Sequence, residues 1–206
     1  MIGIIARLRT KPGQADAFAA QTSAMAKTVA AVESDNIFYN VYRDPADENQ
    51  FVALELYENQ AAVDGHGASA HVAKSMETVP MMLEGDMDVD IVTLVYGGSN
   101  DRIRAGKGAD VEIGVTAYCQ IKPGTEAEWE AIMREMVDAT HANEPGNVFY
   151  GCFKTQTEGE YVFMERWASR EAVDAHGKTA HVAEIAPRFG PYNAGTPTIT
   201  EYLMVE

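Results

Sequence analysis

The chain is poor in cysteine, with two in 206 residues, Cys119 and Cys152. They lack metal-ligand spacing and cannot make a disulfide framework, so they read as buried structural thiols. Long hydrophobic runs are also missing. None approaches the ~20 apolar residues of a membrane-spanning helix, so no membrane partner is expected. Basic residues are scarce, 16 Lys and Arg against 31 Asp and Glu, for a net charge of −15. Such a surface repels phosphate backbones and anionic lipid, so no nucleic acid is expected as a partner. The N-terminus, Met1-Ile2-Gly3-Ile4-Ile5-Ala6, shows no basic stretch and no small-residue cleavage pattern. It reads as a first strand, and a cytoplasmic location is the expectation. Core material, by contrast, is plentiful at 46% hydrophobic residues, too much for a disordered chain.

What is there in abundance is repetition. Lys11-Pro12-Gly13 recurs as Lys122-Pro123-Gly124, and Asn36-Ile37-Phe38-Tyr39 as Asn147-Val148-Phe149-Tyr150, both at a shift of 111. After a one-residue deletion, residues 62–73 (AVDGHGASAHVA) meet residues 172–183 (AVDAHGKTAHVA), identical at nine of twelve positions. The chain therefore divides into 1–96, a connector 97–110 and 111–206. Net charge is −8 in each half and +1 in the connector, so neither half reserves a basic face for a polymer. The Gly-rich composition of the connector predicts a flexible linker.

Periodicity orders the elements within each half. Ile2, Ile4, Ala6 and Leu8 alternate, as do Ile113, Val115, Ala117 and Cys119, and both runs predict strands. Pro-Gly then turns the chain into a helix whose apolar face carries Phe18, Met25, Val29 and Val32, or Trp129, Met133, Met136 and Thr140. Thr125 and Glu128 have capping-box spacing. Strands are expected at 36–43 and 50–57, and at 147–154 and 160–167. Asn59 and Ser169 then open a second helix as N-caps, and a final strand lies at 89–96 or 198–205. Each half is thus βαββαβ, the ferredoxin-like split unit. One such unit leaves a sheet face uncovered, and a tandem copy can cover it. The expected fold class is α+β: two tandem ferredoxin-like units packed sheet to sheet as an α/β barrel within one chain.

The stretch Glu165-Arg166-Trp167-Ala168-Ser169-Arg170-Glu171-Ala172-Val173-Asp174-Ala175-His176, continuing to His181, resembles the antibiotic biosynthesis monooxygenase family, which includes small bacterial quinol monooxygenases. The first half resembles it too, with Tyr57 where the second has Trp167. The resemblance implies a pseudo-dimer within the chain, since single-domain members pair as α/β barrels. It leaves a further homodimer open. It also implies a cofactor-independent, metal-free monooxygenase acting on a quinol-like or polycyclic phenolic molecule with O2. The substrate anion itself reduces dioxygen, and the protein supplies a dry pocket, a proton acceptor and a donor.

Imidazole is the side chain suited to taking a proton near neutral pH, so the resemblance makes His176 and His66 the catalytic candidates. His71 and His181, five residues on, sit ~140° further around a helix. They can join the same site only if the helix breaks at Gly67 or Gly177. Trp167, Tyr57, Tyr150, Tyr39, Phe149 and Phe38 are candidate substrate walls, and Asn147 and Asn36 candidate donors to oxygen. The second half keeps the family tryptophan, which favours His176 and Trp167 if the pockets are unequal.

Several of these residues also admit plain structural roles. The histidines could cap or fill, and the Tyr/Trp pair could be core. Glu55 and Glu165 share a strand face with aromatics, where a raised pKa would make a base. A salt bridge to Arg7 or Arg166 is the favoured alternative. His141, unmatched in the first half, reads as a surface residue. The acidic run 84–90 lacks calcium-loop spacing and reads as a solvated approach to the last strand. Two further functions stay in view. A non-catalytic small-molecule-binding or stress-response barrel would use the same pocket. Haem degradation is disfavoured: Ala6 and Ala117 stand where those relatives carry Asn, His66 and His176 where they carry Trp, and Met76 and Ala186 where they ligate haem.

Overall fold

In the computed structural model, which describes residues 1–205, the elements run β1 (Ile2–Arg9), α1 (Ala15–Val32), β2 (Asn36–Arg43), β3 (Gln50–Tyr57), α2 (Gln60–Gly67), α3 (Ala70–Ser75), α4 (Val79–Met82) and β4 (Asp88–Tyr96). After α5 (Asn100–Ala105) the order repeats as β5 (Ile113–Gln120), α6 (Glu126–Asn143), β6 (Asn147–Lys154), β7 (Glu160–Trp167), α7 (Arg170–His176), α8 (Ala180–Ile185), a 3₁₀ turn and β8 (Thr198–Met204). The protein is α+β and carries the βαββαβ pattern twice. No helix among the described residues is long and apolar enough to cross a membrane.

The first compact unit is Met1–Val92 with the residues from Tyr202 on. In it β3 pairs antiparallel with β1 on one side and β2 on the other, and the end of β8 adds to β2 through Tyr42↔Met204. The second unit, Thr93–Glu201, repeats this with β7 between β5 and β6, and the end of β4 adds to β6. Contact boundaries therefore fall inside the last strand of each repeat.

Strand alternation decides what packs where. In the first unit Ala6, Leu8, Phe51 and Ala53 turn toward Phe18 of α1 and Val79 of α4, forming a helix-covered core. In the second unit the corresponding layer is larger and richer in rings, with Trp129, Tyr161, Phe163 and Trp167 all buried. The helical faces follow the 3.6-residue period with one exception. Thr140 is fully buried as expected, but Val32, in the last turn of α1, is 64% exposed.

Both halves place a β-bulge at the start of their second strand, between Asn36 and Phe38 and between Asn147 and Phe149. The side-chain amides sustain it: Asn36 Nδ2 donates to the Phe38 carbonyl at 3.0 Å, and Asn147 Nδ2 to that of Phe149 at 3.1 Å.

Two further local expectations differ from the structure. Thr125 makes no capping bond to α6, because its hydroxyl donates to the Lys122 carbonyl at 2.8 Å and so serves the preceding turn. The connector is not a featureless linker. Ser99 caps α5 by accepting from the Arg102 N–H, and Ile103 is 2% exposed. Arg102 donates to the bulge carbonyls of Asn147 and Val148, and Arg166 to that of Gly106. Side chains at 106 are excluded, since a Cβ there would lie 2.9 Å from the Val148 carbonyl oxygen.

Candidate functional site

The paired histidines meet because the helix breaks. Asn59 caps α2, and its side chain accepts from the Ala62 N–H at 3.1 Å. The helix ends at Gly67, and Ser69 then starts α3 as a fresh N-cap. Ser169 and Thr179 do the same for α7 and α8. With the break in place, His66 and His71 converge on one carboxylate. Glu33 Oε1 lies 2.8 Å from His66 Nδ1 and 2.5 Å from His71 Nε2. In the second unit Glu144 Oε1 lies 2.8 Å from both His176 Nδ1 and His181 Nε2.

Glu33 and Glu144 do not stand out in the sequence, yet a signal is there. Each caps the C-terminal end of the long helix of its unit, where a carboxylate opposes the helix dipole by ~0.3–1 kcal/mol. A costly residue kept at the same place in both copies marks a requirement. The requirement is orientation: a carboxylate at Nδ1 holds the proton there and leaves Nε2 of His66 as the acceptor nitrogen. The same three donors, within 4.8 Å of one another, also make each triad a set able to take a divalent metal. Here they satisfy one another directly, so an ion would have to displace those contacts.

His66 reaches a cavity of about 200 Å³ between the sheet and the helices of the first unit. Ile4, Ala6, Leu8, Phe18, Val41 and Ala53 give it apolar walls, and Met25, Met76, Met87 and Val89 also line it. The polar groups it holds include Glu55, Tyr39 and His66. Tyr39 lies 5.6 Å from the His66 ring and Tyr57 lies 5.5 Å from it. Tyr57 donates to Glu55 at 2.7 Å, which fixes the carboxylate. Burial pushes Glu55 up to about 6, against Tyr57 and His66, which pull it down. Glu165 is likewise raised to about 6 by burial, against His176 and the Trp167 N–H at 2.8 Å. Tyr39 and Tyr150 are raised by burial and by the neighbouring carboxylates.

Other candidate residues go elsewhere. His71 lines a separate surface depression with Gln21, Met25 and Lys74. Asn36 and Asn147 spend their amides on the bulges, and Asn36 borders a shallow depression with Val32 and Gly65. Phe38 is not among the cavity residues, because neighbours in a strand point to opposite faces and Tyr39 takes the inner one. Phe149 packs 6.2 Å from Phe153. Glu55 and Glu165 bond to Tyr57 and Trp167 rather than making the expected arginine salt bridges. Alternation puts Arg7 and Arg166 on the other sheet face, and Arg7 pairs instead with Asp88 and Asp90 of the acidic run. His141 is half-buried rather than superficial, and burial lowers it to about 4.

In the second unit Tyr150 and Trp167 flank His176 at 5.5 and 4.9 Å. The helix-side layer there carries Trp129, Met133 and Phe163 where the first unit has Phe18, Thr22 and Ala53, and all six are buried. In the first unit the smaller set borders the cavity at His66.

The Glu55 environment has a pH signature. Its folded pKa lies above the unfolded value of 4.5, so the fold holds the neutral acid better than the carboxylate. The cost is absent below about 4.5, grows between about 4.5 and 6, and is complete above that, at ~2 kcal/mol. Glu55→Gln can still accept from Tyr57. It is expected to raise Tm at pH 8 and leave it unchanged at pH 4, as read by thermal melts. A Tm gain of equal size at both pH values would contradict the raised pKa.

The sequence model described as antibiotic biosynthesis monooxygenase matches residues 1–78 and 112–188. An uncharacterized Synechocystis protein, sll1783, is 29% identical over 101 residues, 48% of this chain and 68% of its own. Among solved structures, a provisionally named monooxygenase from Lactobacillus acidophilus superposes with a TM-score of 0.84 at 18% identity, covering 100% of this chain and 94% of its own. An anthrone oxidase-like protein gives 0.59 at 13% identity, over 100% and 91%. Identities this low establish shared fold alone.

Proposed function

The chain belongs to the antibiotic biosynthesis monooxygenase family, and on that premise we propose that it oxidises a compact quinol or phenol with O2 in the cavity of the first unit. The observation that carries this is the joining of three features in one place: apolar walls, a buried carboxylate with a raised pKa, and an imidazole whose Nδ1 is held by Glu33. A cavity of ~150 Å³ takes up benzene, so about 200 Å³ suits one ring with substituents or two fused rings. The hydroxyl end belongs beside His66, Glu55 and Tyr39.

In the proposed reaction His66 Nε2 accepts the phenolic proton, and the electron-rich anion reduces dioxygen. A quinol and O2 give a hydroxyquinone and water. One oxygen atom enters the ring, the other leaves as water with two substrate hydrogens, and no external reductant is consumed. Glu55 offers a second proton-accepting group at the cavity wall, held there by the Tyr57 hydroxyl behind it, and the dry walls keep the anion reactive toward oxygen. The location proposed is cytoplasmic.

The test is oxygen uptake with 1,4-dihydroxynaphthalene under ¹⁸O2, with mass analysis of the product. One labelled atom per product molecule, formed faster than without protein, supports the reading. Saturable binding without any enzymatic oxygen uptake would favour a ligand-holding barrel instead.

A further inference from the structure

The two halves are a comparison built into one molecule. They carry the same polar set, a C-terminal helix glutamate, two histidines, a buried strand glutamate and an inward tyrosine, but different apolar neighbours. We propose that a steric plug separates them: Phe163 and Met133 shut the second unit, and the small side chains of Ala53 and Thr22 let the first accept a single aromatic ligand per chain. This rests on the reading of the first cavity as the substrate site.

Register makes the comparison strict. Ala53 faces Ala6 across the β1–β3 pair, and Phe163 faces Ala117 across β5–β7. Each lies two residues before its buried glutamate, so both point to the same face. Ala53 forms a cavity wall. The Phe163 ring instead sits 5.4 Å from Tyr150 and 5.9 Å from Trp129, in the layer where a ligand would lie. On the long helix, Thr22 folds its hydroxyl back onto the Phe18 carbonyl at 2.9 Å and leaves room beside it. Met133, its counterpart, is fully buried and puts a longer apolar side chain at that position. The strand wall offsets this slightly, with Val115 and Cys119 in place of Ile4 and Leu8. A benzyl ring for a methyl group and a thioether chain for a hydroxyl outweigh the few methylenes lost.

The second unit thus keeps a complete set of polar groups that substrate does not reach. Position 53, with its twin at 163, decides access in each unit.

The experiment is a titration of the intact chain with 2-naphthol, followed by its fluorescence, together with thermal melts. Wild type is expected to bind one equivalent per chain. Ala53→Phe should abolish that site without lowering Tm, because the new ring enters existing space. Phe163→Ala should lower Tm and add a second, weaker equivalent. Two equivalents in wild type would overturn the proposal, as would absence of saturable binding. So would an Ala53→Phe protein that keeps the site or melts far below wild type. These wild-type and Ala53→Phe readouts stand even where Phe163→Ala fails to fold. They are independent of turnover. A chain that binds one naphthol but consumes no oxygen sinks the oxygenation reading alone. A chain whose Ala53→Phe variant turns over normally sinks the plug alone.

Discussion

Replacing His66 with alanine is expected to lower oxygen uptake by about 10²–10⁴-fold, the contribution of a positioned general base. Replacing His176 is expected to leave uptake near the wild-type rate. The contrast follows from environment and not from chemistry, since both imidazoles receive a glutamate at Nδ1 at 2.8 Å. His66 is on the wall of the first-unit cavity with Glu55 and Tyr39, whereas His176 stands beside Tyr150 and Trp167, with the Phe163 ring packed against Tyr150. Retained Tm and retained 2-naphthol binding in His66→Ala would separate lost proton transfer from lost structure. If His176→Ala loses as much uptake as His66→Ala, the second unit carries turnover and the assignment to the first is wrong.

The largest stability effect is expected at Trp129. It is 1% exposed, and its ring lies 4.8 Å from Tyr161 and 5.4 Å from Phe189. Its Nε1 donates to Asn193 Oδ1 at 3.1 Å, which ties α6 to the loop before β8. Trp129→Ala removes these contacts and leaves a void, at ~3–5 kcal/mol. For a chain of this length that corresponds to roughly 6–20 °C in Tm. Calorimetry reads it directly. A drop of no more than about 2 °C would mean that the ring layer is looser than described, and would weaken the case that the second unit is filled.

How much of this was readable beforehand varies by residue, for identifiable reasons. The strands at 36–43, 50–57, 147–154 and 160–167 were legible because alternation and turn residues bound them on both sides. The N-caps at Asn59 and Ser169 were legible because capping is local. The convergence of His66 with His71 was conditional on a break at Gly67, and the Ser69 cap is what makes the break. Glu33 was invisible because its role depends on a contact 33 residues away. Asn36 was misplaced because its amide serves the bulge, which needs strand pairing to be seen, whereas Phe38 was legible from alternation with Tyr39. The connector looked featureless because its Gly content hid Ile103, whose burial needs tertiary context. The inequality of the two units was suggested by Trp167, yet the deciding difference lies two strand positions from the glutamates, at 53 and 163.

The central claim is that this chain's own side chains carry oxygenation without a metal, although Glu33, His66 and His71 could serve as ligands for one. The direct measurement is oxygen uptake with 1,4-dihydroxynaphthalene after chelator treatment, with elemental analysis showing metal far below one atom per chain and the spontaneous rate subtracted. The account predicts an undiminished rate that added Fe²⁺, Cu²⁺ or Zn²⁺ does not raise. A rate lost on stripping and restored by one of those ions would contradict it.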